Sequence, residues 1–183
     1  ETERLQAELN GMTVFKDFSP EIFYSDDRYI VHEFIEGETM LSVFEELERS
    51  GKDPACLISG FVTFLEDMYK SAPGYILSDI NFTNFIIKEV SGDYTFRFVD
   101  YESVSKGKVE EDIGKIAAFA LTYDPAFTDW KYDFALRYIE NSLSALNISE
   151  EKIYKYLENE LKAMNDRRKF KIDIPEVMMK LLL

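Results

Sequence analysis

The stretch LSDINFTNFIIK, residues 77–88, contains a carboxylate and an amide five positions apart, Asp79 and Asn84, just before an apolar run. A second carboxylate, Asp100, ends another apolar run in FRFVDYE. Three oxygen ligands around one point, two of them carboxylates, suit a hard cation such as Mg²⁺ whose shell is completed by phosphate oxygens. This chemistry requires that the three side chains lie close together in the folded chain.

The elements around these residues predict that they converge. The runs NFIIKEV and YTFRFVDY flank the turn sequence SGD, which indicates a β-hairpin. Antiparallel pairing brings the start of the first strand next to the end of the second, so Asn84 and Asp100 meet. The competing interpretation is local, because Asp and Asn are common in turns where their side chains bond to the backbone.

The order of the motifs resembles that of a known family. The spacing D-x-x-x-x-N is similar to the catalytic loop of the protein-kinase-like fold, and VDYE falls where that fold keeps its metal-binding Asp. RYIVHEFIEGETM looks like the strand and hinge that hold the adenine, and EEDIGKIAAFAL looks like the helix that supports the catalytic loop. Residues 1–121 therefore resemble the group of aminoglycoside phosphotransferases, choline kinases and lipopolysaccharide-core kinases.

The resemblance implies a kinase that uses ATP and Mg²⁺ and transfers the γ-phosphoryl group to a hydroxyl. It implies that Asp79 is the catalytic base and that Asn84 and Asp100 bind the metal. It also implies that the backbone groups of Glu33, Phe34 and Ile35 contact the adenine. The carboxylate of Asp112 would support the catalytic loop from behind. The alternative for Asp112 is a favourable dipole contact at the start of a helix.

The sequence departs from the family pattern in three places. Leu77 stands where the family has a His in the catalytic loop, and Ser78 stands where Gly or Arg is usual. The sequence contains neither the Gly-rich loop nor the strand Lys that the family uses, so these features either precede Glu1 or are naturally missing. Glu3 or Glu8 would then be the helix residue whose Lys partner is absent.

The length of one connection bears on the acceptor. Only residues 103–111 separate Glu102 from Asp112, and no A-P-E segment follows. A regulated protein kinase needs a longer activation segment here. We therefore expect a small-molecule hydroxyl acceptor. The alternatives are an atypical protein serine/threonine kinase, which would take a protein substrate, and a non-catalytic kinase-like binding module.

Composition excludes several other classes. The chain has 183 residues, 46% of them hydrophobic, and a formal net charge of −14, so nucleic acid is not an expected partner. No apolar run reaches the ~18 residues of a membrane span. A single cysteine, Cys56, and a single histidine, His32, predict neither a disulfide nor a metal set. We expect a soluble cytoplasmic protein with Cys56 in the core and His32 in a strand.

The fold class predicted from these patterns is α+β, a protein-kinase-like fold with a reduced N-terminal lobe. The predicted order is a helix ending at Gly11, a hairpin within residues 20–34, two helices, the second hairpin and then helices. Residues 1–36 would form the partial N-terminal lobe and residues 37–183 the helical lobe. We also expect an acidic acceptor surface, unless its carboxylates only solvate helix faces; they are Glu110, Glu111, Asp124, Asp129, Asp133 and Glu140.

Overall fold

A computed structural model describes residues 2–167 and 171–182, and it confirms the α+β class. Residues 168–170, which the sequence assigned to the end of a helix, lie outside the described residues. The order of elements is α1 (Thr2–Val14), β1 (Ile22–Ser25), β2 (Ile30–His32), β3 (Glu38–Thr39), α2 (Met40–Ser50), α3 (Ala55–Ser71), β4 (Tyr75–Ile76), a 3₁₀ turn (Phe82–Asn84), β5 (Phe85–Val90), β6 (Asp93–Phe98), β7 (Ser105–Lys106), α4 (Val109–Thr122), α5 (Asp129–Leu146), α6 (Glu150–Arg167) and α7 (Ile174–Leu182).

Both predicted hairpins are present, and His32 lies in a strand as predicted. β1 pairs with β2, β5 lies between β3 and β6, and β4 pairs with β7, all antiparallel. In the second hairpin Phe85 is opposite Phe98 and Val90 is opposite Asp93. This register confirms that the residues just before β5 and just after β6 lie at the same end of the hairpin.

The core forms where α3 packs on the second hairpin and on the later helices. Phe61 of α3 is fully buried, with its ring 4.8 Å from that of Phe85 and 5.8 Å from that of Tyr138 in α5. Apolar residues on one stripe of each helix and on alternate positions of the strands produce this arrangement. No helix in the described part of the chain combines the length and the apolar character that crossing a bilayer demands.

Two sequence expectations about α1 and α3 are wrong. α1 does not end at Gly11 but continues to Val14, because Gly11 serves close packing: a Cβ there would lie 2.1 Å from the carbonyl oxygen of Tyr101. Cys56 is exposed and not in the core, because it lies on the solvent side of α3 while its neighbour Leu57 is fully buried. Neither position departs from helical geometry; the sequence misjudged only which neighbour each residue meets.

Candidate functional site

The structure brings the loop of Asp79, the 3₁₀ turn and the segment after β6 together. The side-chain Nδ2 of Asn84 donates to the carbonyl oxygen of Asp79 at 3.2 Å. The carbonyl of Asn84 in turn accepts from the amide of Val99 at 2.9 Å, one residue before Asp100. Asn84 therefore connects the loop that carries Asp79 with the segment that carries Asp100.

The orientation of the Asn84 amide leaves its oxygen for a ligand. Because Nδ2 is bound to the Asp79 carbonyl, Oδ1 points away from that bond, and its contact in the structure is the Thr83 hydroxyl at 3.3 Å. An amide oxygen held in this way is suited to a hard cation. The assignment of Asn84 as a metal ligand stays a prediction.

Asp100 has a strained backbone and a crowded carboxylate. Its φ of +75° lies in the left-handed region, which non-glycine residues rarely adopt and which is common at functional sites. Burial raises the pKa of Asp100, and the negative charges of Glu102 and Asp79 raise it further, while Arg4 opposes the shift. A cation bound beside Asp100 would relieve this repulsion.

Helix α1 holds the segment around Asp100 in place. Glu8 accepts a hydrogen bond from the Tyr101 amide. Burial is the main cause that raises the pKa of Glu8, and the negative charge of Asp100 is the second. Arg4 pairs with Glu102, and the buried Tyr101 donates its hydroxyl to the Phe18 carbonyl. Of the two glutamates that the sequence left open, Glu8 and not Glu3 makes this contact. A cavity of about 400 Å³ lies here, lined by Arg4, Leu5, Glu8, Arg28, Asp100 and Glu102.

Asp112 lies beneath the loop that precedes Asp79. Its carboxylate is fully buried and accepts from the amides of Leu77 at 2.7 Å and Ser78 at 3.1 Å, and from the Tyr69 hydroxyl at 2.7 Å. Burial raises the pKa of Asp112 to about 6, against the effect of these donors. The contacts show that Asp112 is more than a helix-dipole partner, because its oxygens fix the backbone of Ser78, whose φ is +66°.

A second cavity, of about 210 Å³, contains Asp79 itself. It is lined by Ser78, Asp79, Ser103, Lys115, Phe119, Glu160 and Arg167. None of the six acidic residues expected at the acceptor surface is among these lining residues. The sequence missed Lys115 and Phe119, although their spacing of three and seven residues from Asp112 places all three on one face of α4. The expected acidic surface is therefore not the surface beside Asp79.

The residues predicted to contact adenine follow β2. The amide of Glu33 donates to the Glu21 carbonyl at 2.8 Å, and the Glu33 carbonyl lies 2.7 Å from Nδ1 of His32. The side chain of Phe34 is 87% exposed, and Ile35 is half-buried. The backbone of Glu33 is thus already engaged inside the hairpin, so the predicted adenine contact at this residue has a competitor within the chain.

The described residues contain no group of three or more His, Cys, Asp or Glu side chains arranged to hold a metal ion. Asn84 and Asp100 would supply two protein ligands. Mg²⁺ is commonly held by one or two carboxylates together with substrate phosphates and water, so two protein ligands fit that ion when a nucleotide is bound. They do not fit a metal that needs a complete protein cage.

Comparison with known proteins adds no assignment: no family model matches the chain, and no curated protein matches it. The roles of Asp79, Asn84, Asp100 and Asp112 remain predictions that rest on residue types, the resemblance and the contacts described above.

Proposed function

We propose that the protein is an ATP-dependent phosphotransferase of the protein-kinase-like fold that acts on a hydroxyl of a small molecule. Residues 1–36 would be a partial N-terminal lobe and residues 37–183 the helical lobe. The observation that carries the proposal is the convergence of Asp79, Asn84 and Asp100 at one end of the β5–β6 hairpin, above a loop that the buried Asp112 holds in place.

The proposed reaction uses these residues in distinct roles. Asp79 takes the proton of the acceptor hydroxyl while the oxygen of that hydroxyl forms a bond to the γ-phosphorus of ATP. The bond between the γ-phosphorus and the β,γ-bridging oxygen breaks, and ADP leaves with that oxygen. Asn84 and Asp100 would hold Mg²⁺, which neutralises phosphate charge when it is bound. Because the pKa of Asp100 is raised, a proton competes with Mg²⁺ for this carboxylate, and metal binding would weaken as pH falls.

The connection after Asp100 favours a small acceptor over a protein. Ser105 and Lys106 form β7, which pairs with Tyr75 and Ile76 of β4. This pairing ties the short segment to the loop before Asp79 and leaves no long chain there to recognise a peptide. A small hydroxyl compound needs no such segment.

The competing proposal is a kinase-like module that binds without catalysis. Two contacts favour it: Arg4 pairs with Glu102 across the cavity that contains Asp100, and the backbone of Glu33 is engaged with Glu21 and His32. The first contact lines the cavity that contains Asp100, and the second engages backbone groups of Glu33 that are predicted to contact adenine. The two proposals differ in whether ATP binds with Mg²⁺ and whether it is consumed.

Titration calorimetry with ATP, with and without Mg²⁺, tests the proposal. We expect Mg²⁺-dependent binding that weakens by about tenfold or more in Asp100→Asn, since a metal ligand is lost, and that changes little in Asp79→Asn. ADP release with a mixture of hydroxyl acceptors should fall by about 10²–10⁴-fold in Asp79→Asn. Asp93→Asn, at the exposed opposite end of the same hairpin, is the matched control. Binding that ignores Mg²⁺, or normal turnover in Asp79→Asn, would overturn the proposal.

A further inference from the structure

The cavity beside Asp79 is lined by four parts of the chain. Ser78 and Asp79 come from the loop after β4, Ser103 comes from the segment between β6 and β7, Lys115 and Phe119 come from α4, and Glu160 and Arg167 come from α6. Its volume of about 210 Å³ equals that of about seven liquid waters at ~30 Å³ each, and it is smaller than the ~300–1,000 Å³ of pockets for drug-sized ligands. A compound that fits inside it has the size of a monosaccharide.

The charges that line this cavity are balanced. The carboxylates of Asp79 and Glu160 face the cations of Lys115 and Arg167, and Glu160 pairs with Arg167. Outside the lining, Glu111 pairs with Lys115 at 2.9 Å. A cavity without a dominant sign of charge offers no field that concentrates polycations or polyanions. It therefore favours a neutral ligand over an aminoglycoside or a sugar phosphate.

The polar groups of the cavity include both donors and acceptors. Ser78 Oγ lies 2.7 Å from Ser105 Oγ, which orients the Ser78 hydroxyl. The ammonium of Lys115 donates to the Ser78 carbonyl at 2.8 Å and to Glu111. These bonds use two of its three N–H groups, so the third can reach a ligand hydroxyl. Such a set matches a compound with several hydroxyls, each of which both donates and accepts.

One wall of the cavity is aromatic. The ring of Phe119 stacks on Tyr123, with 6.1 Å between the ring centroids and 28° between their planes, and this contact fixes its orientation. A flat apolar ring opposite polar groups suits a molecule with a C–H face on one side and hydroxyls on the other. A simple amino alcohol has no such extended face.

We propose that this cavity is the acceptor site and that it takes a neutral polyhydroxylated compound of monosaccharide size. Phe119 contacts the C–H face of that compound, and Lys115 binds one of its hydroxyls, so these two residues determine specificity. The inference rests on the proposed function, because it treats Asp79 as the base that receives the proton of the bound hydroxyl.

The test measures acceptor binding without nucleotide, by saturation-transfer NMR and titration on the full chain. The probes are D-ribose, D-glucose and myo-inositol as neutral compounds, ethanolamine and kanamycin as cations, and D-glucose 6-phosphate as an anion. We expect saturable binding of at least one neutral compound and weaker binding of the charged ones.

Phe119→Leu, which keeps an apolar side chain without the ring, and Lys115→Gln should each weaken binding by about three- to tenfold. Lys152→Gln is the matched control, because Lys152 also pairs with a glutamate of α4, Glu110, but does not line the cavity.

Every outcome decides the inference separately from the proposed function. The inference is overturned if kanamycin or the sugar phosphate binds preferentially or if no neutral probe binds. It is also overturned if Phe119→Leu and Lys115→Gln bind the neutral probe with the same affinity as the wild type. Affinity for ATP with Mg²⁺, measured on the same samples, reports on the proposed function. Neutral binding without ATP binding keeps the cavity as a polyol site and removes the phosphotransferase; ATP binding without neutral binding does the reverse. Thermal unfolding of each variant shows whether the fold is intact, and Phe119→Tyr, which restores an aromatic ring, should rescue binding.

Discussion

The two hairpins share a sequence pattern, aromatic and β-branched runs around a polar turn, but they have different surroundings. β1 and β2 pair only with each other within the described chain, and their residues Phe23 and Tyr24 are 63% and 51% exposed. β5 and β6 are flanked by β3 and covered by α3, and both Phe85 and Phe98 are fully buried. An aromatic run around a polar turn thus predicts a hairpin, but it does not predict what covers the hairpin.

The difference does not follow from residue type alone, because three consecutive apolar residues occur both in β1, as IFY, and in β5, as FII. In β5 Phe85 and Ile87 are buried and face the core, whereas Ile86 is half-buried and Lys88 is exposed. The strand IFYS of β1 is apolar at three consecutive positions, a pattern typical of strands covered on both faces. The described residues leave these side chains exposed. The proposed metal ligands therefore flank a packed hairpin, and the predicted adenine contacts follow an exposed one.

The largest expected effect compares one phenylalanine from each hairpin. Phe85→Ala removes a buried ring that lies 4.8 Å from Phe61 and 5.0 Å from Phe98, so we expect a loss of about 3–5 kcal/mol in the free energy of unfolding. Phe23→Ala removes an exposed ring, and the expected change is within about 0.5 kcal/mol. Urea unfolding of both variants measures the difference. Similar losses would show that the β1–β2 hairpin is as well packed as the second one.

A more conservative substitution at each position keeps the comparison testable if Phe85→Ala does not fold. Phe85→Leu keeps most of the apolar volume and should cost less than the alanine variant, while Phe23→Leu should be neutral. The order of stability, and not any single value, then decides between the two descriptions of the hairpins.

How well the sequence predicts a contact depends on whether the two residues are close together or far apart along the chain. Helical periodicity and strand runs are local patterns, so the order of helices and hairpins was predicted, and the antiparallel register brought Asn84 and Asp100 together as expected. The contacts that depend on a distant partner were missed. The local sequence at Gly11 predicts a helix end, because Tyr101, against which Gly11 packs, is 90 positions away in the sequence. The cavity residues Lys115 and Phe119 were missed because only the packing of α4 on the Asp79 loop shows which face they occupy.

The second prediction concerns the loop that leads into β5. The folded pKa of Asp112, about 6, is above its unfolded value near 3.8. The folded state therefore binds an extra proton between these values, and stability that is present below pH ~4 is lost as pH rises through ~6. The expected loss is about 3 kcal/mol, from roughly two pKa units. Denaturant unfolding from pH 4 to pH 7 should show this loss in the wild type and not in Asp112→Asn.

A second variant tests the cause of that pH dependence. The Tyr69 hydroxyl donates to Asp112 and lowers its pKa. Tyr69→Phe removes this donor, so the pKa of Asp112 should rise further and the loss of stability should extend to higher pH. Parallel stability curves for the wild type and Asp112→Asn would show that Asp112 does not titrate in this range, and they would contradict the raised pKa of its buried carboxyl group.

The smallest expected effect is the ion pair that joins the two hairpins. Arg97 of β6 lies 2.9 Å from the carboxylate of Glu33, which follows β2, and the two side chains are 40% and 43% exposed. Because water screens such a pair, we expect a coupling of about 0.2–1 kcal/mol in a double-mutant cycle with Arg97→Gln and Glu33→Gln.

Raising the salt concentration from about 0.1 M to 1 M shortens the Debye length from ~10 Å to ~3 Å and should reduce this coupling. Lys88 and Glu36, at a similar distance of 3.0 Å but 56% and 80% exposed, provide the matched cycle and should show no measurable coupling. A coupling between Arg97 and Glu33 that is larger than predicted and insensitive to salt would mean that this pair is shielded from water. The β1–β2 hairpin would then be held against the second hairpin more firmly than its exposed side chains indicate.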